Sequence, residues 1–177
     1  MKSDIIHIDN KGVGFEAALE QTGKVAQFRG LGEKETLRLR ICAEEMLGLA
    51  RSVTGEMEAD FWLESEGGRF DLHMSTRTVM DKEKRRQLLS TASSRKNEAA
   101  NSFLGKLRDA FEEAILSDVD YSAGELPDEV AKDICYYHPE DPNWDGYEQS
   151  ILSKLADEIK ISIRGGTVDM TVTKNFE

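Results

Sequence analysis

Two groups of polar side chains in this 177-residue sequence have types and spacing that suit chemistry. Glu44 and Glu45 are adjacent carboxylates in an amphipathic segment, where they fit either a general base or a solvated helix edge. A small polar stretch that includes Ser94, Lys96 and Asn97 carries hydroxyl, ammonium and amide donors. Such a stretch suits either an anion-binding loop or an exposed, mobile surface loop.

Two further groups of residues are weaker candidates for a functional site. Cys135 and His138, with Asp133 and Asp141 nearby, include zinc-ligand types but lack the second ligand pair that a zinc site needs. His73 has no serine or cysteine that the sequence pairs with it as a nucleophile. We therefore expect neither a metal site nor a hydrolytic triad.

The composition bounds the class of protein. The chain has 23 Lys and Arg against 34 Asp and Glu, a net charge of −11, with 39% hydrophobic residues. We expect one domain spanning residues 1–177 and no nucleic-acid partner, because phosphate binding needs a basic surface. No apolar run approaches the ~18 residues of a membrane helix, so we expect no membrane association. A cytoplasmic protein with free thiols at Cys42 and Cys135 is the resulting prediction.

Apolar residues recur three and four positions apart in several segments, which predicts helices. The clearest lies between Glu33 and Gly55, where Leu39, Cys42 and Met46 share one face. The predicted helices span residues 15–31 (one helix or two short ones), 33–55, 81–90 (short and basic) and 103–116. A further predicted segment begins at Tyr147, with Ile151, Leu155 and Ile159 following four residues apart, and leads into the last strands.

Gly67-Gly68 and Gly165-Gly166 each separate two runs that alternate apolar and polar residues, which predicts two β-hairpins. With two-residue loops, apolar residues oppose apolar residues across each hairpin, and Trp62 and His73 share the other face of the first one. The predicted pairs are Leu63 with Leu72, Phe61 with Met74, Ile163 with Val168, Ile161 with Met170, and Ile159 with Val172.

The order of these elements predicts an α+β fold, a two-layer α/β sandwich. Its mixed or antiparallel sheet would consist of the two hairpins plus an N-terminal strand, with helices on one face. All three prolines fall in an acidic, aromatic-rich stretch at about 118–146, which we interpret as an insertion.

The stretch from Leu31 to Asp81, and within it the segment LRLRICAEEMLGL at 37–49, resembles the histidine-kinase-like ATPase family. The similarity is greatest to the anti-sigma-factor serine kinase branch. That family also ends in a hairpin like residues 166–172. The resemblance covers most of the chain outside the insertion, and it lies more in the layout of elements than in motifs.

The resemblance implies a bound ATP with Mg²⁺. In the family, this helix carries a Glu that activates water and, four residues later, an Asn that holds the magnesium. Glu45 matches the Glu and is the implied catalytic base. Leu49 stands at the Asn position, and its side chain offers no oxygen to a hard cation.

Further nucleotide contacts follow from the resemblance alone. The family's adenine-reading Asp would be replaced by Ser75 or Thr76, or by Asp81 further along the chain. A lid over the nucleotide would be formed by the loop 90–101. The implied phosphate donors are Ser94, Lys96, Asn97, Asn101 at the following helix start, and Gly105, which is what remains of a glycine box.

Three functions are compatible with these residues. The first is a regulatory binding module that binds a protein partner and has weak or no kinase activity. The second is an active ATP-dependent protein serine kinase with Glu45 as base and Asn97 or Asn101 as magnesium ligand. The third is a dimerising scaffold without a nucleotide site, a homodimer formed through the sheet or the insertion.

Overall fold

The computed structural model describes residues 1–9, 11–54, 58–116 and 151–177. The predicted insertion at 118–146, and with it Tyr147, lies outside these described residues. The elements in chain order are β1 (Ile6–Ile8), α1 (Phe15–Phe28), α2 (Glu33–Thr54), β2 (Ala59–Glu66), β3 (Arg69–Arg77), α3 (Lys82–Thr91), a short 3₁₀ helix (Glu98–Ala100), α4 (Phe103–Leu116), α5 (Ile151–Leu155), β4 (Glu158–Arg164) and β5 (Thr167–Asn175).

The five strands form one sheet in the order β1-β2-β3-β5-β4, and every neighbouring pair is antiparallel. All five predicted cross-strand pairs are confirmed. Gly67 and Gly165 both have a φ of 58°, in the left-handed region that glycine adopts without strain. Both hairpin turns therefore lie at the glycine pairs where the sequence predicted them, because glycine permits the backbone conformation that these turns need.

One face of the sheet is apolar and buried, and it packs against the helices. Along β3, Phe70, Leu72, Met74 and Thr76 are buried while the residues between them are more exposed. The same alternation runs through β2 and β4, and the buried strand residues form one core with the inner faces of α1, α2 and α3. The predicted α+β two-layer sandwich, with helices on one sheet face, is confirmed.

Two helices depart from their predicted extents, and the burial of a third adds to what the sequence indicated. Residues 15–28 form a single helix across Gly23, where the buried glycine lies close to the Arg40 side chain of α2. The basic helix, predicted at 81–90, spans Lys82–Thr91 and buries Arg85 together with Leu88. The last helix ends at Leu155, because Asp157 donates its backbone N–H to the Thr173 carbonyl (2.9 Å) and pairs with β5 instead.

Candidate functional site

Helix α2 presents Glu45 and Leu49 one turn apart, as the resemblance implied. The helix forms because its apolar stripe is buried against the sheet, and Glu35 accepts a hydrogen bond from the Gly32 N–H (2.9 Å) at its start. Glu45 is half-buried, and Leu49 is half-buried and packs against the core. This turn of α2 therefore offers a single carboxylate beside an apolar side chain.

Glu45 shares its surroundings with the buried thiol of Cys42 and with the end of the last hairpin. Burial raises the pKa of Cys42 to about 11; Lys174 opposes this rise, whereas Asp157 and Glu45 add to it. Asp157 is itself ion-paired with Lys174 at 2.8 Å. The Cys42 thiol is thus protonated at neutral pH and supplies no nucleophile.

The three residues considered for the adenine-reading position at the end of β3 do not come together. Ser75 lies on the sheet face away from the helices and donates its hydroxyl to Asp169 Oδ1 (2.7 Å). Thr76 faces the core and donates to the Glu58 carbonyl (2.8 Å). Asp81 caps α3, where its carboxylate accepts from the Lys84 N–H (2.8 Å). Each of these polar groups has a local partner.

The loop expected to act as a lid is attached to the edge strand β4. Ser93 accepts a hydrogen bond from the Ile159 N–H (2.8 Å) through its hydroxyl and donates its own N–H to the Ile159 carbonyl (2.9 Å). Further along, Asn97 forms an isolated parallel bridge with Ile161. The loop therefore continues the sheet edge, which differs from the expected mobile surface loop.

Asn97 is the most completely bonded of the predicted site residues. Its side chain is buried and bonds both backbone groups of Ile163, donating to the carbonyl at 2.9 Å and accepting from the N–H at 2.8 Å. It also accepts from the Ala99 N–H (3.1 Å) and donates to the Asp109 carboxylate. The hydrogen-bonding groups of the Asn97 amide are therefore all used to attach the loop to β4 and α4.

The remaining predicted donors are also bonded within the loop or at the start of α4. Ser94 bonds Glu98 at 3.2 Å and accepts from the Lys96 N–H at 3.3 Å, and Asn101 donates to Glu98 at 2.7 Å. The Gly105 N–H donates to the Ser102 hydroxyl (3.0 Å). Ser94, the Lys96 side chain and Asn101 are exposed, so these contacts lie at the surface.

A Cβ atom at Gly105 would overlap the Ala99 carbonyl and approach the Ser102 hydroxyl. This close approach explains why position 105 is a glycine, and no bound ligand is needed for the explanation. The structure therefore gives Gly105 a packing role at the junction between the 3₁₀ helix and α4.

Asp109 is a further residue of this region that the sequence did not indicate as a candidate. Its Oδ1 accepts hydrogen bonds from Asn97 and from the Arg85 guanidinium, at 2.6 Å for the latter. The only signal in the sequence is that Asp109 stands opposite the apolar positions of α4, a place usually occupied by a solvated residue. Its partners on α3 and in the loop are set by the tertiary structure.

On the open face of the sheet, Trp62 and His73 stack with ring centroids 5.0 Å apart, as their predicted common face requires. His73 Nδ1 lies 3.1 Å from the Thr171 hydroxyl, and its Nε2 is buried without a hydrogen-bond partner in the described part of the chain. Burial lowers the pKa of His73, while Glu64 and Asp71 counteract this effect in part. The ring is therefore a neutral packing element of the face.

Within the described ranges, no group of three or more His, Cys, Asp or Glu side chains is arranged to hold a metal ion. Cys135 and His138 lie outside these ranges. None of the described helices is long and apolar enough to cross a bilayer. No protein-family model matches the chain, and no curated protein is significantly similar to it in sequence.

Proposed function

We propose that this protein is a regulatory binding module with a divergent histidine-kinase-like ATPase fold, which binds a protein partner and does not transfer phosphate. One observation carries the proposal. Asn97, a buried residue among the implied nucleotide contacts, uses both ends of its amide on Ile163, Ala99 and Asp109.

The neighbouring donors support the same conclusion. A phosphate cradle needs backbone N–H groups that are free and aimed at the anion. The N–H groups of Lys96, Ala99 and Gly105 instead donate to side chains of Ser94, Asn97 and Ser102, respectively. An incoming phosphate would have to displace these contacts, each of which contributes roughly 0.5–1.5 kcal/mol.

The metal chemistry of the family is also poorly supported by these residues. Mg²⁺ demands oxygen ligands at short, nearly octahedral geometry. Leu49 supplies none, and Asn97, the alternative ligand, is already committed to β4. Glu45 alone is a half-buried carboxylate without the second group that magnesium-dependent phosphoryl transfer would require.

The regulatory assignment follows from the resemblance rather than from a bound group. The order of elements, with two helices between the first strand and the first hairpin and a terminal hairpin paired to β3, agrees with the layout on which the resemblance rests. The anti-sigma-factor branch acts by binding a protein. A cytoplasmic protein partner is therefore the binding class that we propose.

Calorimetric titration with ATP, with and without magnesium, tests the absence of phosphoryl transfer. We expect no magnesium-dependent binding at millimolar ATP and no ATP turnover. The variants Glu45→Gln and Glu44→Gln should behave like the wild type, Glu44 being the exposed neighbour on the same helix. Magnesium-strengthened binding or turnover that Glu45→Gln abolishes and Glu44→Gln retains would establish the active kinase instead.

The binding function needs a positive measurement as well. A partner captured from the cytosol of the source cells should be purified separately and mixed with the protein. We expect a complex of defined stoichiometry by size-exclusion chromatography with light scattering. If purified candidates form no such complex, the binding-module proposal fails, whatever the result with ATP.

A further inference from the structure

The open face of the sheet carries several basic side chains, and most of them are paired with carboxylates of the same face. In each case a lysine or arginine lies within ion-pair distance of an Asp or Glu. The pairs are Lys2 with Glu64 at 3.1 Å, Arg69 with Asp71 at 2.9 Å, and Lys160 with Glu158 at 3.0 Å. These positive charges are therefore neutralised by neighbouring residues.

Arg77 and Arg164 on the same face differ from these residues. Both are exposed, and neither guanidinium forms a hydrogen bond or an ion pair with a residue in the described part of the chain. Arg77 is the last residue of β3 and Arg164 is the last residue of β4. The two strands lie on either side of β5, so the two unpaired charges are close to each other.

Thr167 of β5 lies between the two arginines. It pairs with Arg77 in the β3–β5 ladder and with Arg164 in the β4–β5 ladder. Paired residues point to the same face, and the residues that adjoin these three within their strands are buried on the helix side. Two strand spacings place the Cα atoms of the arginines about 10 Å apart, which two long side chains can bridge above the Thr167 hydroxyl.

The backbone that carries this row is held by contacts at the strand ends. The Thr78 N–H donates to the Gly166 carbonyl (2.8 Å), which extends the pairing of β3 with β5 beyond Arg77. The Gly165 N–H donates to both carboxylate oxygens of Glu112 on α4, at 3.0 Å each. A ligand at this row would therefore bind a preorganised backbone, which lowers the entropic cost of binding.

The carboxylates around the row do not neutralise the two arginines. Asp169, the next residue of β5 on the open face, accepts a hydrogen bond from Ser75 at 2.7 Å, and Glu112 pairs with Arg108 at 2.7 Å. Glu58, just before β2, is exposed and forms no ion pair with a described residue. Like charges on nearby strands do not favour folding, so the fold itself gives no reason for two unpaired arginines beside one threonine.

We propose that Arg77, Thr167 and Arg164 form a binding site for a phosphate monoester group. A guanidinium donates two parallel N–H groups to an oxyanion, and two of them match the double charge and the three terminal oxygens of such a group. The Thr167 hydroxyl adds a donor between them. A carboxylate has only two oxygens and one charge, and a single arginine suffices for it.

This inference does not rest on the proposed function. None of the three residues is among the implied nucleotide contacts, and the row lies on the sheet face opposite to the helices. Two sources carry the phosphate chemistry, namely a phosphorylated side chain of a protein and a free small phosphate. The experiment below distinguishes them.

An NMR titration of the full chain tests the site directly, with the Thr167 backbone amide as the local readout. The probes are inorganic phosphate, a short peptide with one phosphoserine, and the same peptide without the phosphate, all at constant ionic strength. We expect saturable shifts with the two phosphate probes and none with the unmodified peptide. Tighter binding of the phosphopeptide than of inorganic phosphate would identify a phosphorylated protein as the source, and equal affinity would identify a small phosphate.

The variants Arg77→Gln and Arg164→Gln each remove one guanidinium and keep a polar side chain. Each should weaken phosphate binding by about tenfold or more, as expected for the loss of charge-assisted hydrogen bonds, and Thr167→Val should weaken it less. The matched control is Arg38→Gln on α2, because Arg38 is also exposed and has no partner among the described residues.

Arg38→Gln should leave the affinity unchanged. Circular dichroism checks that each variant is folded, which the exposure of the substituted arginines favours. The absence of saturable binding to both phosphate probes would overturn the proposal. Equal weakening in Arg38→Gln and in the two site variants would overturn it as well, because the binding would then be a general effect of net charge.

Discussion

Asp109 of α4 and Arg85 of α3 form an ion pair with an N–O distance of 2.6 Å, in which the Arg85 side chain is 6% exposed. The same carboxylate oxygen accepts a hydrogen bond from Asn97, whose amide continues to Ile163 on β4. A single oxygen therefore joins two helices, a loop and the edge of the sheet. The arrangement holds α4 in place although that helix contributes no residue to the described core.

We expect Asp109→Ala to destabilise the protein by about 3–5 kcal/mol, because it leaves a buried guanidinium without its counter-charge. The Nη1 group of Arg85 already has no hydrogen-bond partner among the described residues, so no second acceptor is in place to compensate. The free energy of unfolding in urea measures the effect.

The double variant Arg85→Met with Asp109→Leu serves as the control for this pair. Replacing both charges by apolar side chains of similar size should recover most of the stability lost in Asp109→Ala. If Asp109→Ala leaves the free energy of unfolding unchanged, the ion pair does not hold α4 on the rest of the protein and contributes nothing measurable to stability.

Asn97→Ala should cost about 2 kcal/mol of unfolding free energy. The substitution removes the partners of the N–H and the carbonyl of Ile163, and buried backbone groups without partners are destabilising. We expect faster amide exchange along β4 as well, because the strand would regain a free edge.

Ser94→Ala, in the same loop, is the matched control for Asn97→Ala. Ser94 is exposed and its contacts stay within the loop, so the change should alter stability by less than about 0.5 kcal/mol. Equal effects of the two substitutions would show that the loop is not tied to β4 through Asn97.

Stability should decrease as the pH falls through about 6.5, the pKa of an unperturbed histidine. Burial lowers the pKa of His73 in the folded protein, so the unfolded chain binds a proton that the folded chain does not, and protonation favours unfolding. His73→Phe, which keeps an aromatic ring against Trp62, should remove this part of the pH dependence.

Thermal unfolding of the wild type and of His73→Phe between pH 8 and 5.5 measures this contribution. The range lies above the titration of ordinary Asp and Glu, whose unperturbed pKa values are about 3.9 and 4.3. The difference between the two melting temperatures should widen toward acidic pH in favour of His73→Phe. A constant difference would show that His73 titrates alike in both states.

Much of the fold could be predicted because it depends on local patterns. The alternation around Gly67-Gly68 and Gly165-Gly166 determined both hairpin registers, since a slip by one residue would turn Phe61 or Ile161 to the wrong face. Helix α2 was equally predictable from its apolar spacing. The end of the last helix could not be predicted from its apolar spacing. It is set by a tertiary contact, because the Asp157 N–H donates to the carbonyl of Thr173 on the neighbouring strand.

The candidate site was less predictable. The sequence indicates that Ser75 lies in the first hairpin, Asp81 at the start of a helix and Asn97 in a loop, but it does not specify toward which face each side chain points or which backbone group satisfies it. Their functional roles stay predictions. What the structure reports is that Ser75 bonds Asp169, Asp81 caps α3 and Asn97 bonds Ile163.

By itself, the sequence determined the α+β class, the two hairpins with their registers and the acidic balance of the chain, because period, turn chemistry and charge are properties of neighbouring residues. Only the tertiary structure decided that α4 docks by Asp109 and Glu112 with its apolar stripe outward. The physical reason is that partners such as Arg85, Asn97 and Gly165 lie far away along the chain, and folding alone brings their charges and backbone groups together.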